Sequence, residues 1–283
     1  MLFDAHTHLN FEGFDEEERS FRADEIENSN VGIIVDAGDC VASSQKAIED
    51  AEKYSWCYAA VGIHPEHALD YTEEDLKEIE TMLQHPKVQA VGEIGLDFHY
   101  GKDSKEEQME LFRKQIRMAV KHNMPIMIHT REANQLTMDI LVEEGAFSEE
   151  RKNHFPKRPG AEGEPVCDAR VQLHCFSGSA ELALEYIRLG ATISIGGPVT
   201  FKNGRKTVEV VQRVPLAFLM TETDAPYLTP EPFRGRPNRS PYVEHVVRRI
   251  AVIQDRPYEE VEEAIFENGC RFFGIKGVNQ GEK

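Results

Sequence analysis

Two histidines near the start of the chain, His6 and His8, stand two positions apart inside the short apolar segment DAHTHLN. In a β-strand, alternate side chains point to the same face and lie about 6.6 Å apart along the strand. Two imidazoles placed in this way can converge on one metal ion, with about 2.1 Å between the ion and each nitrogen. An H-x-H pair is a weak signal alone, because one core histidine and one surface histidine give the same pattern.

Further imidazoles and carboxylates decide between these interpretations, because each lies at or near the end of a short apolar run. The set consists of His6, His8, His64, Glu93, Asp97, His129, His174, Glu222 and Asp224. Such a set, gathered in one place, would be costly to desolvate without an ion. The pattern therefore predicts a metal site, and we expect the other six of the eleven histidines to be surface residues.

The elements that must bring these side chains together are apolar runs that alternate with charged, helix-forming stretches. The predicted strands are 2–8, 31–38, 57–64, 88–97, 125–130, 171–176, 192–197 and 218–225. Their continuous apolar character indicates parallel strands that are buried on both faces. Eight such strands separated by helices predict a single α/β domain, a (β/α)8 TIM-like barrel, with its active site at the carboxyl ends of the strands.

Two segments interrupt this alternation. Residues 147–170 are rich in proline, glycine and charge and show no clear period, so we predict a surface loop inserted into a single domain of residues 1–283. This loop could be a lid over the site, but padding is the favoured interpretation. Residues 229–241 carry four prolines and three arginines after the last predicted strand.

The chain is strongly acidic, with 50 aspartates and glutamates against 32 lysines and arginines and a formal net charge of -18. This balance argues against broad, sequence-independent wrapping of nucleic acid, although it leaves open a small site that is locally positive or filled by metal.

The cysteine pattern and the amino terminus bear on the compartment. The five cysteines include no C-x-x-C pair, which argues against a disulfide framework and a thiolate zinc site and favours a reducing cytoplasm. We find neither a signal-peptide pattern nor an apolar run of about 18 residues, so we expect a soluble cytoplasmic protein with no membrane partner. Without a heptad pattern or a long exposed apolar stripe, we expect a monomer.

Seven strings in the chain resemble, in order, motifs of the TatD family of metal-dependent deoxyribonucleases within the amidohydrolase superfamily. They are DAHTHLN, GIHPE, GEIGLDFH, PIMIHTREA, LHCFSG, GPVTFKN and TETDAPYLTPEPFRGRPNRS, and the match runs from residue 3 to about residue 274. The resemblance implies a distorted eightfold β/α barrel that binds two divalent ions. By the same resemblance, the first ion is held by His6, His8, Glu93 and Asp224, and the second by Glu93, His129 and His174.

The residue types suit this chemistry. Two ions about 3.5 to 4 Å apart can generate hydroxide at neutral pH and neutralise charge on a phosphodiester, and they need a bridging anion. Many relatives in the superfamily use a carbamylated lysine as the bridge, but no lysine lies at a predicted strand end here, so Glu93 takes that place. Asp224 is the candidate to orient the attacking water and accept its proton. We expect Glu222 to support a metal ligand, or else to be a surface acid at a strand end.

Other residues are candidates for binding substrate. By resemblance, His64 contacts the scissile phosphate. Arg131 could bind a phosphate in bidentate geometry, with an ion pair to Asp97 as the alternative. Arg234, Arg236 and Arg239 could contact a DNA backbone or could simply be solvated. Phe176 and Tyr227 could stack on a terminal base, although packing is the commoner role of such aromatics.

The identity of the ions cannot be read from the sequence, since mixed imidazole and carboxylate ligands suit Mg, Mn, Zn, Fe or Ni. Cys175 should point away from the site by strand alternation and is not expected to be a ligand. Two features depart from the family pattern: the long insertion, and Asn10 where an acid is expected. Both bear on substrate preference and remove no predicted ligand.

The sequence therefore predicts a metal-dependent phosphodiesterase, specifically a 3′–5′ deoxyribonuclease that acts on DNA ends or single strands. One alternative is a hydrolase of another ester, such as an aminoacyl-tRNA or a small phosphoester, that uses the same centre. Another is a non-catalytic metal-dependent binder of nucleic acid or protein.

Overall fold

Eight parallel strands form one sheet that curls into a nearly closed barrel. The structure is a computed structural model, and it describes residues 1–276. In chain order the strands are β1 (Leu2–Thr7), β2 (Val31–Ala37), β3 (Cys57–Val61), β4 (Val88–Asp97), β5 (Ile126–Arg131), β6 (Arg158–Pro159), β7 (Pro165–Val166), β8 (Val171–Leu173), β9 (Thr192–Ile195) and β10 (Leu219–Thr221). Strands β6 and β7 pair only with each other, and the other eight form the barrel, which confirms the predicted (β/α)8 fold.

Helices follow most of the barrel strands. Those of the described residues are α1 (Glu16–Glu27), α2 (Val41–Lys53), α3 (Glu73–Met82), α4 (Lys105–Lys121), α5 (Asn134–Glu143), α6 (Glu149–His154), α7 (Ala180–Leu189), α8 (Arg205–Arg213), α9 (Val243–Gln254) and α10 (Tyr258–Phe273). Short 3₁₀ helices occupy Pro65–His67, Gly197–Thr200, Leu216–Phe218 and Ser240–Tyr242. No helix in the described part of the chain has the length and apolar character needed to cross a membrane.

The seam between β1 and β10 is where the barrel is distorted. The Asp224 N–H donates to the carbonyl oxygen of His6 over 2.9 Å. Two residues before His6 on β1, the buried carboxylate of Asp4 accepts hydrogen bonds from the backbone N–H and the hydroxyl of Thr223, at 2.8 and 2.6 Å. A side chain thus replaces part of the strand ladder, and the seam holds His6 and Asp224 beside each other.

Four observed strands end at least two residues before their predicted ends, and polar residues lie in three of the segments that differ. Strands β3, β8, β9 and β10 end at Val61, Leu173, Ile195 and Thr221, before the predicted ends at 64, 176, 197 and 225. His64, His174 and Asp224 therefore lie beyond the ladder, where positive φ angles at Cys175 (43°) and Asp224 (56°) turn the chain. Strand alternation, which was the basis for excluding Cys175 as a ligand, does not apply at that position.

An apolar layer fills the barrel beneath these polar ends. Small and medium side chains of the strands pack there with three phenylalanines of α10, and the cluster includes Phe3, Ala5, Ile33, Val35, Ala37, Ala60, Ala90, Met127, Met220, Phe266, Phe272 and Phe273. The ring of Phe3 stacks on that of Phe273, with centroids 5.8 Å apart. The polar residues at the strand ends thus rest on a close-packed floor, which restricts their side-chain motion.

The prediction of an irregular surface loop at 147–170 is wrong, because the segment contains α6 and the β6–β7 hairpin. Two of its arginines, Arg151 and Arg158, are almost fully buried. The Arg151 guanidinium donates to the carbonyl oxygen of Met124, just before β5, and that of Arg158 donates to the hydroxyl of Thr192, the first residue of β9. These contacts anchor the segment at the amino-terminal ends of the strands, away from the end that carries the polar residues.

Candidate metal centre

Four of the predicted ligands meet at the carboxyl ends of β1, β4 and β10. His6 Nε2 lies 3.1 Å from His8 Nε2, and each of these nitrogens lies 3.5 Å from Asp224 Oδ1. Glu93 Oε2 lies 3.5 Å from His6 Nε2 and 3.9 Å from His8 Nε2. Ligand atoms at about 2.1 Å from a tetrahedral ion are about 3.4 Å from one another, so these atoms fit around one divalent ion.

The two histidines of this group are oriented by contacts at their other ring nitrogens. His8 Nδ1 lies 2.9 Å from the carbonyl oxygen of Ala37, so Nδ1 carries the proton and donates it to that oxygen. His6 Nδ1 lies 2.9 Å from the sulfur of Met127, and the His6 ring stacks on that of His174 with centroids 3.8 Å apart. Both Nε2 atoms are thereby directed at the same point, which is how imidazole ligands are held in metal sites.

A second group surrounds the other oxygen of the same carboxylate. Glu93 Oε1 lies 2.8 Å from His129 Nδ1, 3.2 Å from His174 Nε2 and 3.8 Å from His64 Nε2. The edge of the His64 ring faces the His129 ring, with centroids 4.6 Å apart. One oxygen of Glu93 therefore faces the His6–His8 group and the other faces these imidazoles, which is the disposition that a bridging ligand requires.

Two further carboxylates contact the histidines of the second group. The fully buried Glu222 places Oε1 2.9 Å from His174 Nδ1, and the same oxygen accepts the N–H of Cys175 at 2.7 Å. Asp97 Oδ2 lies 3.1 Å from His129 Nε2. Carboxylates in these positions fix the orientation of imidazole ligands and raise their basicity. Among the described residues, Cys175 belongs to none of the groups that could hold a metal ion.

Sequence reasoning missed the role of Asp97. We considered Asp97 as a partner only in the alternative ion pair with Arg131, whereas its carboxylate contacts His129 and accepts the backbone N–H groups of His99 and Tyr100, both at 2.8 Å. Arg131 is exposed instead, with its guanidinium 4.7 Å from the centre of the Tyr100 ring. The available signal was the spacing of Asp97 four residues after Glu93, at the end of the same strand.

The electrostatics of the centre favour a charged Glu93. Burial opposes ionisation of this carboxyl, but the imidazoles of His174 and His6 and the contact with His129 hold its pKa well below the usual range. Burial and the neighbouring His174 lower the pKa of His6, which keeps that imidazole neutral and able to ligate. The carboxylate is therefore an anion among imidazoles, as a metal bridge must be.

Metal binding should be coupled to proton release, because His8 and His129 hold protons at neutral pH when no ion is bound. Burial works against the charged forms, but Asp224 and Glu93 raise the pKa of His8 to about 9, and Asp97 and Glu93 raise that of His129 to about 9. An ion must displace these protons, so we expect Mn²⁺ affinity to fall as the pH decreases below about 9. Calorimetric titration at pH 7.5 in buffers of different ionisation enthalpy measures the release, and a value of zero would contradict the prediction.

The predicted substrate-binding residues differ in their distance from the metal centre and in their exposure to solvent. His64 is buried beside the second group, its Nδ1 accepts the N–H of Glu66 at 3.2 Å, and burial lowers its pKa to about 3. Arg234 and Arg236 lie on the exposed loop after β10, and neither contacts a metal-ligating side chain within residues 1–276. Arg239, on the same loop, is paired with Glu25.

The aromatic candidates separate into one exposed and one buried ring. Tyr227 is 50% exposed, and the edge of its ring faces His8 with centroids 6.3 Å apart. Phe176 is buried and packs edge-on against Tyr186. Only Tyr227 of this pair is therefore accessible to a base at the mouth of the barrel.

The hydrogen bonds of Asn10 explain why this position carries an amide and not the expected acid. Asn10 Nδ2 donates to the buried carboxylate of Asp36 at 3.0 Å and to the carbonyl oxygen of Ala37 at 2.9 Å. An ionised acid at this position would offer no donor to either oxygen. Asn10 also supports the carbonyl group that orients His8.

The chain is similar in sequence and in structure to known proteins. The family model for TatD related DNases matches residues 3–274. The metal-dependent hydrolase YabD of Bacillus subtilis is 42% identical over 280 residues, covering 97% of this chain and 100% of the relative. The metal-dependent hydrolase TatD of Mycobacterium tuberculosis is 32% identical over 285 residues, covering 99% and 100%. The crystal structure of the TatD homologue YjjV from Escherichia coli superposes with a TM-score of 0.84 at 27% identity, covering 97% of this chain and 98% of that one.

Proposed function

The chain belongs to the TatD related DNase family of metal-dependent hydrolases, and on that premise we propose that it cleaves phosphodiester bonds with two divalent ions, as a 3′–5′ deoxyribonuclease acting on DNA ends or single strands. The observation that carries this proposal is the placement of Glu93, which directs one carboxylate oxygen to each of two ligand groups. Two-metal sites of this kind clamp both the attacking and the leaving oxygen of an in-line displacement at phosphorus.

The residues divide between the two ions as follows. His6, His8 and Asp224 would hold one ion and His129 and His174 the other, with Glu93 shared by both. Imidazole and carboxylate ligands suit Mg, Mn, Zn, Fe or Ni. When bound, such a pair of ions lowers the pKa of a water molecule and neutralises charge on the phosphodiester.

We assign Asp224 the role of the general base. Its Oδ1 faces the two imidazoles, while its side chain remains 14% exposed towards the barrel mouth, compared with 6% for Glu93. The second oxygen of Asp224 is therefore free to orient the attacking water and accept its proton. Glu93 is enclosed by imidazoles and keeps its charge, so it serves as a ligand.

His64 and Arg131 supply donors to the reacting phosphate. The neutral His64 ring projects from β3 to the edge of the second group, and its Nε2 is 3.8 Å from Glu93 Oε1. Arg131 is exposed at the end of β5, and within residues 1–276 its guanidinium contacts the ring of Tyr100 and no carboxylate, so it can turn towards a phosphate. Both residues would hold a phosphodiester against the centre.

The surroundings of the barrel mouth favour the end of a DNA strand as the substrate. The chain carries a net charge of -18, so long-range attraction of duplex DNA is weak and a substrate must be gripped locally. Exposed rings at the mouth, Tyr227 (50%) and Tyr100 (66%), can stack on unpaired bases. Unpaired bases occur in single strands and at frayed ends.

The experiment is digestion of a 5′-labelled single strand by Mn²⁺-loaded protein, beside a blunt duplex and a strand with phosphorothioate linkages at its 3′ end. We expect a ladder shortened from the 3′ end of the single strand, slower digestion of the duplex, and a block at the phosphorothioates. An aminoacyl ester and bis(p-nitrophenyl) phosphate are assayed in parallel. Hydrolysis of either ester without any shortening of DNA would overturn the deoxyribonuclease assignment.

A further inference from the structure

A groove with several basic side chains lies beside the barrel mouth, between the segment that follows β9 and the helix α9. Its volume is about 580 Å³, and its lining includes Phe201, Lys202, Arg205, Glu231 and Arg249. We refer to it as the cationic groove. Sequence reasoning did not find it, because its residues come from parts of the chain about 45 positions apart.

Cations outnumber carboxylates in the lining of this groove, which contains Lys202, Arg205, Arg248 and Arg249 beside the acid Glu231. Arg248, which also lines it, is paired with Glu244 at 2.5 Å. Across residues 1–276, by contrast, Lys202, Arg205 and Arg249 form no ion pair with a carboxylate. Unpaired cations brought together on a chain with a net charge of -18 form a local site for a polyanion.

The segment that lines the groove begins next to a buried residue of the metal centre. Gly196 follows β9 and lies against Glu222, since a Cβ atom added to this glycine would be 3.6 Å from Glu222 Cγ. A few residues later, the hydroxyl of Thr200 accepts the N–H of Glu231 at 2.9 Å, which ties this segment to the loop after β10. The segment that lines the groove is therefore continuous along the chain with a residue packed against the metal centre.

The ring of Phe201, which lines the groove, is covered by a guanidinium group. The guanidinium of Arg234 lies 4.0 Å from the centre of the Phe201 ring, and Arg234 is exposed. Stacked planes of this type accept an unpaired base, and neighbouring cations follow the phosphates of the same strand. An acidic protein segment would use the cations but has no bases to stack against Phe201 and Arg234.

We propose that the cationic groove binds the sugar-phosphate backbone of the DNA strand that leads away from the reacting end. Lys202, Arg205 and Arg249 contact phosphates several nucleotides from the cleaved bond, and Phe201 with Arg234 supports a base. This inference rests on the proposed nuclease function and adds the path of the substrate. Loss of the groove cations should weaken binding of long strands much more than the turnover of a small diester.

The test compares the double variant Lys202→Ala/Arg205→Ala with the control double variant Lys157→Ala/Arg188→Ala. The control also removes one exposed lysine and one exposed arginine, but from the hairpin segment and the end of α7, near the start of β9. For each protein, kcat/KM is measured on a single strand of about 12 nucleotides and on bis(p-nitrophenyl) phosphate. The ratio of the two values normalises for metal loading.

We expect the groove variant to lower this ratio roughly tenfold through a higher KM for the strand, and to reduce the slope of log affinity against log salt by about 1.4, or about 0.7 per lost phosphate contact. The control variant should leave both quantities at the wild-type values. DNA hydrolysis with an unchanged ratio and salt slope in the groove variant would overturn the inference but keep the nuclease function.

Binding measurements distinguish the remaining outcomes. Fluorescence anisotropy of the labelled strand is recorded with wild-type protein and with poly-glutamate as competitor. Wild-type protein that neither hydrolyses nor binds the strand would overturn both proposals. Displacement of the strand by poly-glutamate of equal charge at equal concentration would assign the groove to an acidic protein partner and overturn its role for DNA.

Discussion

Substitution of Glu93 by glutamine should reduce hydrolysis of single-stranded DNA by roughly 10³-fold or more and should lower the affinity for both ions. The oxygens of this side chain face two groups, at 3.5 Å from His6 Nε2 and 2.8 Å from His129 Nδ1. An amide offers one neutral oxygen and one N–H₂ group, so it cannot supply an anionic donor to either side. The measurements are kcat/KM on the labelled strand and metal content by plasma mass spectrometry.

The matched control for this change is Glu110→Gln on the exposed face of α4, where the same loss of charge should leave activity and metal content unaltered. The barrel of the Glu93→Gln protein should still form, because the apolar layer beneath the centre does not depend on the carboxylate. Circular dichroism monitors the fold. A Glu93→Gln protein that retains two ions and wild-type turnover would exclude the bridging role.

Substitution of Asp224 by asparagine should reduce kcat by about 10²- to 10⁴-fold with a much smaller change in KM. The amide preserves the shape of the side chain and one oxygen towards His6 and His8, which lie 3.5 Å from Oδ1 in the wild type. It cannot accept a proton from water, so the chemical step fails while substrate binding persists. The ligands His129, His174 and Glu93 are unaltered, and we expect their ion to remain bound.

The comparison protein for Asp224→Asn is Asp70→Asn, an exposed aspartate close after the 3₁₀ helix Pro65–His67, which should behave as wild type. Turnover of Asp224→Asn within about threefold of wild type, at equal metal content, would show that another group accepts the proton. Loss of both ions would instead identify Asp224 as essential for assembly of the whole centre.

Much of the barrel could be predicted, because buried parallel strands leave continuous apolar runs in the sequence. Strand β4 was predicted at 88–97 and observed at Val88–Asp97. For other strands, polar residues that follow the apolar run led us to predict carboxyl-terminal ends that lie beyond the observed ones. His64 and His174 continue apolar runs in the sequence, but they leave the ladder to direct their rings into the centre.

The side-chain partners of Asp97 and Arg131 were harder to predict from the sequence. For Arg131 we weighed phosphate binding against an ion pair with Asp97, and the two residues are register partners on β5 and β4. The structure buries Asp97 to 2% exposure and pairs it with His129, while Arg131 remains in solvent. A buried carboxylate needs hydrogen bonds on the protein side, and which donor reaches it depends on tertiary packing that no local pattern encodes.

The regular structure within residues 147–170 could not be predicted from local sequence patterns either. Charge, proline and glycine suggested a solvated loop, yet Arg151 and Arg158 are buried because their guanidinium groups find oxygens of Met124 and Thr192. These acceptors lie on other elements of the barrel, 27 and 34 positions away along the chain. Burial of an arginine can be anticipated only when its acceptors are known.

The most direct test of the two-metal phosphodiesterase is titration of metal-free protein with Mn²⁺ while the shortening of a 5′-labelled single strand is followed. After dialysis against a chelator the protein should be inactive. Activity should then rise with added ion and reach its plateau at two bound ions per chain, and it should stay near zero throughout for Glu93→Gln. Full hydrolysis of the strand by metal-free protein, or a plateau reached with no ion bound, would contradict the proposed centre.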